Sequence, residues 1–68
     1  MVEVDFPTRL QKMRERKRVK RYIVSELCGL SHDAVRRYER GEREPSAHAL
    51  AALADYFGVT MDFLWKGE

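Results

Sequence analysis

Arginine and lysine supply most of the reactive chemistry this chain has to offer. Eight cations stand between residues 9 and 21 (Arg9, Lys12, Arg14, Arg16, Lys17, Arg18, Lys20 and Arg21), against one carboxylate, Glu15. Residues 1–43 hold twelve cations and seven carboxylates, a net +5, whereas residues 44–68 hold one and four, a net −3. A basic half and an acidic half suit a polyanion bound on one side only. A solvated charged helix would show the same composition, so position must decide between them. Cys28 and His32 are a nucleophile and a base four residues apart, but the glycine turn at Gly29 separates them. Cys28 falls on an apolar stripe and reads as an inert core thiol. One cysteine and two histidines are too few for a zinc site, and His48 reads as a surface residue in the first turn of a helix. No glycine-rich phosphate loop is present. The expectation is a protein without metal, cofactor or small-molecule ligand, and not an enzyme.

The totals bound the rest. A chain of 68 residues is one domain, spanning residues 1–68. A domain near 60 residues buries only about 60% of its unfolded surface, which leaves room for one core and no deep cleft. With 44% hydrophobic and 35% charged residues the composition is that of a folded globular domain rather than a disordered tail. A lone cysteine closes no internal disulfide. No run approaches the roughly 20 apolar residues of a membrane span, and the acidic, mixed start from Met1 to Pro7 is unlike a signal peptide. The expected location is the cytoplasm, with no membrane partner.

Five helices and no strand position these residues. The first runs from about Pro7 to Lys17, with Asp5 before its positive end and Phe6, Leu10 and Met13 on its buried face. The second, Arg21 to Cys28, stops at Gly29, with Val24, Leu27 and Cys28 as its apolar stripe. The third starts at Ser31 as N-cap and reaches Glu39 or Arg40 before Gly41, with Ala34, Val35 and Tyr38 facing inward. Residues 40–45 hold no apolar side chain and read as a loop. Ser46 caps a fourth helix with a wide face of Ala47, Leu50, Ala51, Leu53, Ala54 and Phe57, closed by Gly58. Thr60 caps a short fifth helix carrying Phe63, Leu64 and Trp65. Leu50, Leu53 and Phe57 are expected to anchor the fourth helix on Leu10, Met13 and Val35. Two short helices joined through Cys28-Gly29-Leu30-Ser31 have the helix-turn-helix layout, over about residues 21–40. The turn needs a positive φ, which glycine gives, and Ser25 supplies a small side chain where the second helix crosses the first.

From Phe6 to Lys66 the chain resembles the Cro/repressor family of helix-turn-helix proteins, also called the xenobiotic-response-element family. The segment SHDAVRRYERGEREPS, Ser31 to Ser46, carries most of the likeness, through its Tyr-Glu-Arg-Gly followed closely by Pro-Ser. The ending Phe57-Gly58-Val59-Thr60-Met61-Asp62-Phe63-Leu64 resembles the family's usual close. Departures are Arg18 where the joint of the first two helices usually has glycine, Lys20 and Arg21 where serine or threonine and glutamine are usual, Ser25 for alanine, and Glu42 for a frequently basic loop residue.

The resemblance implies an all-α, compact five-helix bundle of the lambda-repressor-like DNA-binding type, with residues 31–40 as recognition helix. It implies base reading in the major groove by His32, Asp33, Arg36 and Arg37. Arg37 has the fork for guanine O6 and N7, and Asp33 an acceptor for cytosine N4. Asp33 serves equally well as a carboxylate favouring the helix N-terminus. Lys20, Arg21, Arg40 and Arg43 are the phosphate candidates, and Arg14 and Glu39 match the family's ion pair between the first helix and the recognition helix. Met61, Phe63, Leu64 and Trp65 are the dimer-interface candidates, although Trp65 would equally cover the core edge of a monomer. Ile23 is expected to be exposed, which leaves a minor partner surface open there. The expected function is sequence-specific binding of double-stranded DNA as a homodimer that regulates transcription, by repression. The alternative is an antitoxin-like protein-interaction module whose DNA binding is secondary.

Overall fold

A computed structural model describes residues 5–68. The acidic start read from the sequence therefore falls largely on residues 1–4, outside the described residues. Five helices follow in order: α1 Phe6–Lys17, α2 Arg21–Leu27, α3 Ala34–Glu39, α4 Ala47–Phe57 and α5 Met61–Lys66. No strand occurs among the described residues.

Three of the helix starts follow from an oxygen placed one residue ahead. Asp5, Ser46 and Thr60 each accept, through the side chain, the N–H three residues on, from Thr8, Ala49 and Phe63. Each bond satisfies one of the orphan donors of a first turn. Pro7 sits in the first turn of α1, where its missing N–H costs nothing. The joint from α1 to α2 turns through Arg18 at φ 56°, ψ 43°. This is a left-handed conformation that a residue with a Cβ adopts at a cost of roughly 1–2 kcal/mol.

Each helix places one aliphatic side chain wholly out of water: Leu10, Val24, Val35, Leu53 and Leu64 all have 0% exposure. Phe6, Ala34, Tyr38, Ala49 and Ala54 complete the buried cluster. The central helix is α1, which packs against α3 on one side and α5 on the other; α2 closes on α3, and α4 on α5.

Two expectations about α4 and α5 need correction. On α4 the buried face is Ala49, Leu53 and Ala54, while Ala47 and Ala51 are exposed and Leu50 and Phe57 are only half-buried. Alanine marks a helix by propensity rather than by burial, so the run of alanines widened the predicted face beyond the true one. Phe57 lies at the helix end, edge-on to Tyr56 with centroids 4.9 Å apart, and packs over the core rather than within it. On α5, Leu64 is core, and so it drops out as a dimer-interface residue. Phe63, beside it, is exposed.

Leu53→Ala should destabilise the fold by about 2–5 kcal/mol, a large fraction of the roughly 3–10 kcal/mol available to a chain of this size. Phe57→Ala should cost less, because water already reaches that ring. Urea unfolding of the two variants checks the order, and a larger loss for Phe57→Ala would contradict the packing described here.

Candidate nucleic-acid interface

The joint between α2 and α3 is built from the backbone outward. Leu27 ends α2 and Cys28 caps it, Gly29 turns at φ 70°, and the Leu30 N–H closes the turn on the Ser25 carbonyl oxygen at 2.8 Å. The sequence reading began α3 at Ser31. In the structure residues 31–33 form a turn and the helix covers only Ala34–Glu39, so Ser31 does not cap it and the 31–40 boundary is corrected to six residues. Asp33, directly before the helix, makes no side-chain cap either. The missing cap comes from the neighbouring helix. Ser25, 0% exposed, accepts the Val35 N–H at 3.1 Å and donates to the Arg21 carbonyl oxygen at 3.1 Å. From sequence Ser25 was only a small residue at a crossing. Its hydroxyl, in place of the alanine that the resemblance leads one to expect, is the signal from which this bond could have been found.

Ala34, Val35 and Tyr38 bury one face of α3, and Arg36 and Arg37 stand on the other, exposed. His32 is exposed in the leading turn, its ring 5.6 Å from that of Tyr22 on α2. Asp33 Oδ2 accepts from Arg37 Nε at 3.0 Å. That bond, with the charges of Arg37 and Arg36 behind it, holds the Asp33 carboxyl below the usual carboxylate range. The structure therefore gathers His32, Asp33, Arg36 and Arg37 at one exposed turn and helix face, with two of the four bonded to each other.

The phosphate candidates divide. Lys20 and Arg21 begin α2. With Gln11, Arg14, Glu15 and Tyr22 they line a shallow hollow where α1 meets α2. Arg40 and Arg43 are exposed beyond α3, and Arg40 Nε meets Glu42 Oε2 at 2.7 Å, which offsets part of its charge.

Beneath this surface Arg14 and Glu39 form a two-pronged pair. Arg14 Nε lies 2.6 Å from Glu39 Oε2 and Nη2 3.2 Å from Oε1, while Nη1 donates to the Val19 carbonyl oxygen at 2.9 Å. The side chains are 13% and 3% exposed, so this is a buried pair. Arg21 Nη1 adds a second cation 4.0 Å from Glu39 Oε1. Glu39 ends α3, where the helix dipole disfavours an anion; the two arginines offset both that and its burial.

The remaining chemistry-bearing residues lie elsewhere. Cys28 is half-buried, its thiol 3.7 Å from the Ala52 carbonyl oxygen, and burial, with some help from the Asp55 charge, pushes its pKa up. His48 is exposed on α4. No three His, Cys, Asp or Glu among the described residues are grouped to hold a metal ion, and no described helix is long and apolar enough to cross a membrane. On α2 the expectation for Ile23 is reversed: Ile23 is half-buried, and Leu27, placed on the apolar stripe, is 65% exposed. Met61, Phe63 and Trp65 are exposed at 38–39%, with the Trp65 ring lying on Phe6 at a centroid distance of 5.2 Å.

Comparison with known proteins gives this arrangement a context. Residues 5–62 match the family described as "Helix-turn-helix domain". The HTH-type transcriptional regulator AnsR of Bacillus subtilis is 39% identical over 60 residues, 88% of this chain and 52% of that protein. The repressor protein C2 of Salmonella phage P22 is 28% identical over 60 residues, 88% of this chain and 28% of that protein. The chain spans about half the length of the three Bacillus subtilis regulators it matches, 52–57%. Among solved structures, the P22 c2 repressor in complex with a synthetic operator superposes with a TM-score of 0.89 at 26% identity, covering 96% of this chain and 98% of that one. The restriction-modification controller protein C.AhdI of Aeromonas hydrophila superposes with a TM-score of 0.80 at 28% identity, covering 88% and 91%.

Removing one half of the buried pair should do more harm than removing both. Arg14→Met alone should cost about 3 kcal/mol, because it strands the Glu39 carboxylate. Adding Glu39→Leu should restore much of that loss. A double-mutant cycle by urea unfolding measures the coupling, and additive losses would show that the pair carries no net interaction.

Proposed function

The chain belongs to the helix-turn-helix domain family, and from that premise we propose that it is a sequence-specific DNA-binding regulator of transcription that reads the major groove with α3 and the turn before it. One observation carries the reading: α3 buries Ala34, Val35 and Tyr38 on one face and holds Arg36 and Arg37 out on the other, on a helix fixed to both α2 and α1. A helix anchored in this way can enter a groove without losing its own structure. Arg37 offers its guanidinium fork to guanine O6 and N7, and His32 offers a ring nitrogen to a neighbouring base edge. Lys20, Arg21, Arg40 and Arg43 set the register on phosphates, with Arg40 weakened by Glu42.

The action is occupancy. DNA covered by this protein is closed to polymerase, so repression requires no bond to be made or broken. The chain works as one DNA-binding unit and not as an enzyme, and it acts in the cytoplasm, where bacterial and phage DNA is found. It binds as a homodimer, since one six-residue helix spans too few base pairs to define a site, and two copies on half-sites about one helical turn apart double the contacts. Met61, Phe63 and Trp65, exposed on α5, are the surface for that contact.

Two measurements test this. With four phosphate contacts, affinity should fall by about 3.6 log units per log unit of salt. Arg21→Ala should weaken all duplexes alike and flatten that slope by about one contact, whereas Arg37→Ala should lose about 1–3 kcal/mol on the preferred site alone. Binding indifferent to salt would refute the reading. The homodimer is tested by sedimentation at rising concentration, with and without a palindromic duplex: a monomer under every condition excludes it, and Phe63→Glu should weaken self-association without unfolding the chain.

A further inference from the structure

The Asp33–Arg37 bond redistributes the work among the four residues of the reading face. We propose that Asp33 does not read a base but acts as the positioning residue for Arg37, fixing the guanidinium so that its outer fork presents to guanine; this rests on the DNA-reading role proposed above. The geometry is specific. The contact falls on Arg37 Nε, with Asp33 Oδ2 at 3.0 Å, and so engages the inner edge of the guanidinium. The terminal Nη1 and Nη2 groups, which form the fork that matches guanine O6 and N7, are not used by that contact. A carboxylate four residues N-terminal to an arginine on one helix face is well placed for such a bond.

Several features argue against the other roles for Asp33. It makes no side-chain cap to α3, a task Ser25 performs from α2. The pair is half-exposed, 48% and 40% by side chain, and pairs so placed contribute little to stability. A carboxylate sent alone into the groove would meet phosphate repulsion, whereas one bound to Arg37 enters as part of a neutral unit whose hydrogen-bonding edge is still open. The benefit is pre-organisation: a long, flexible side chain is already held in its reading rotamer before DNA arrives. Every other cation near the reading face lacks such a brace or is braced differently. Arg40 is held by Glu42 from beyond the helix, and Arg21 points toward Glu39.

Site selection from random duplex DNA decides the matter, run in parallel on the wild-type chain and on Arg37→Ala, Asp33→Ala and Asp33→Asn. Arg37→Ala should abolish a guanine preference at one base pair. Both Asp33 variants should relax that same preference, Asp33→Ala by about tenfold, and leave the other positions intact. Their affinity for unrelated duplex should hold or rise, since a negative charge near phosphate is gone. A cytosine preference lost at a different base pair would make Asp33 a direct reader and overturn the proposal. Unchanged selection with a lowered melting temperature would reduce the pair to a helix-stabilising contact and overturn it equally. A wild-type chain with no base preference anywhere would instead overturn the DNA-reading role itself. Asp33→Asn keeps the size of the side chain and serves if Asp33→Ala loses helix by circular dichroism.

Discussion

The Glu39 carboxylate, 3% exposed and held by Arg14, is the point on which the reading helix turns. A six-residue helix has little stability of its own, because nucleation costs more than so few hydrogen bonds return. Here α3 is held at both ends by its neighbours. At its start the Ser25 hydroxyl from α2 takes the Val35 N–H, and at its end Arg14 from α1 takes the Glu39 carboxylate and, through Nη1, the Val19 carbonyl oxygen as well. Between the two ends, Val35 and Tyr38 enter the core. The same arginine therefore ties together α1, the α1–α2 joint and the C-terminal end of α3. A buried ion pair seldom adds much net stability over well-packed apolar residues. What this one supplies is a direction: it leaves α3 one orientation relative to α1.

Much of this was legible in the residues. Pro7, Gly29, Gly41, Gly58, Ser46 and Thr60 mark turns and caps through local chemistry, and local chemistry is what a linear chain displays. The Phe6/Leu10 face of α1 and the Ala34/Val35/Tyr38 face of α3 follow from spacing. Ser31 misled because serine before an apolar run looks like an N-cap; the α2–α3 turn extends through Asp33 and the cap is supplied from ten residues upstream of Val35, beyond the reach of any local pattern. Alanine-rich α4 hid its true face because Ala47, Ala49 and Ala51 differ in burial but not in chemistry. Leu64 stood among the interface candidates for a similar reason, since two adjacent apolar residues on a helix of six do not define a phase.

The candidate interface was legible as a set of cations but not as a circuit. Composition shows how many arginines there are, and the resemblance implies the Arg14–Glu39 pair; only the fold shows that Arg37 and Arg40 also have carboxylate partners, with the contacts of Arg37, Arg40 and Arg14 at 3.0, 2.7 and 2.6 Å. The three pairings differ in kind. Arg14–Glu39 is buried and architectural. Arg40–Glu42 lies at the surface and moderates a charge. Arg37–Asp33 is half-exposed and leaves the outer edge of its guanidinium open. Net charge is thus a poor guide to how strongly this face attracts an anion, because part of it is already spoken for within the molecule.

The core contains one zero-exposure aliphatic residue from each of the five helices. Each such residue packs into space the other helices supply, so no helix can peel away without opening a hole at the centre. Local fraying of α3 and global unfolding then become nearly the same event, in contrast to proteins whose binding elements open on their own. A protease that needs an opened chain would find α3 no easier to cut than the centre of α1. Any ligand that grips α3 raises the stability of every helix by mass action, so that occupancy of the reading face and survival of the whole chain against degradation rise and fall together.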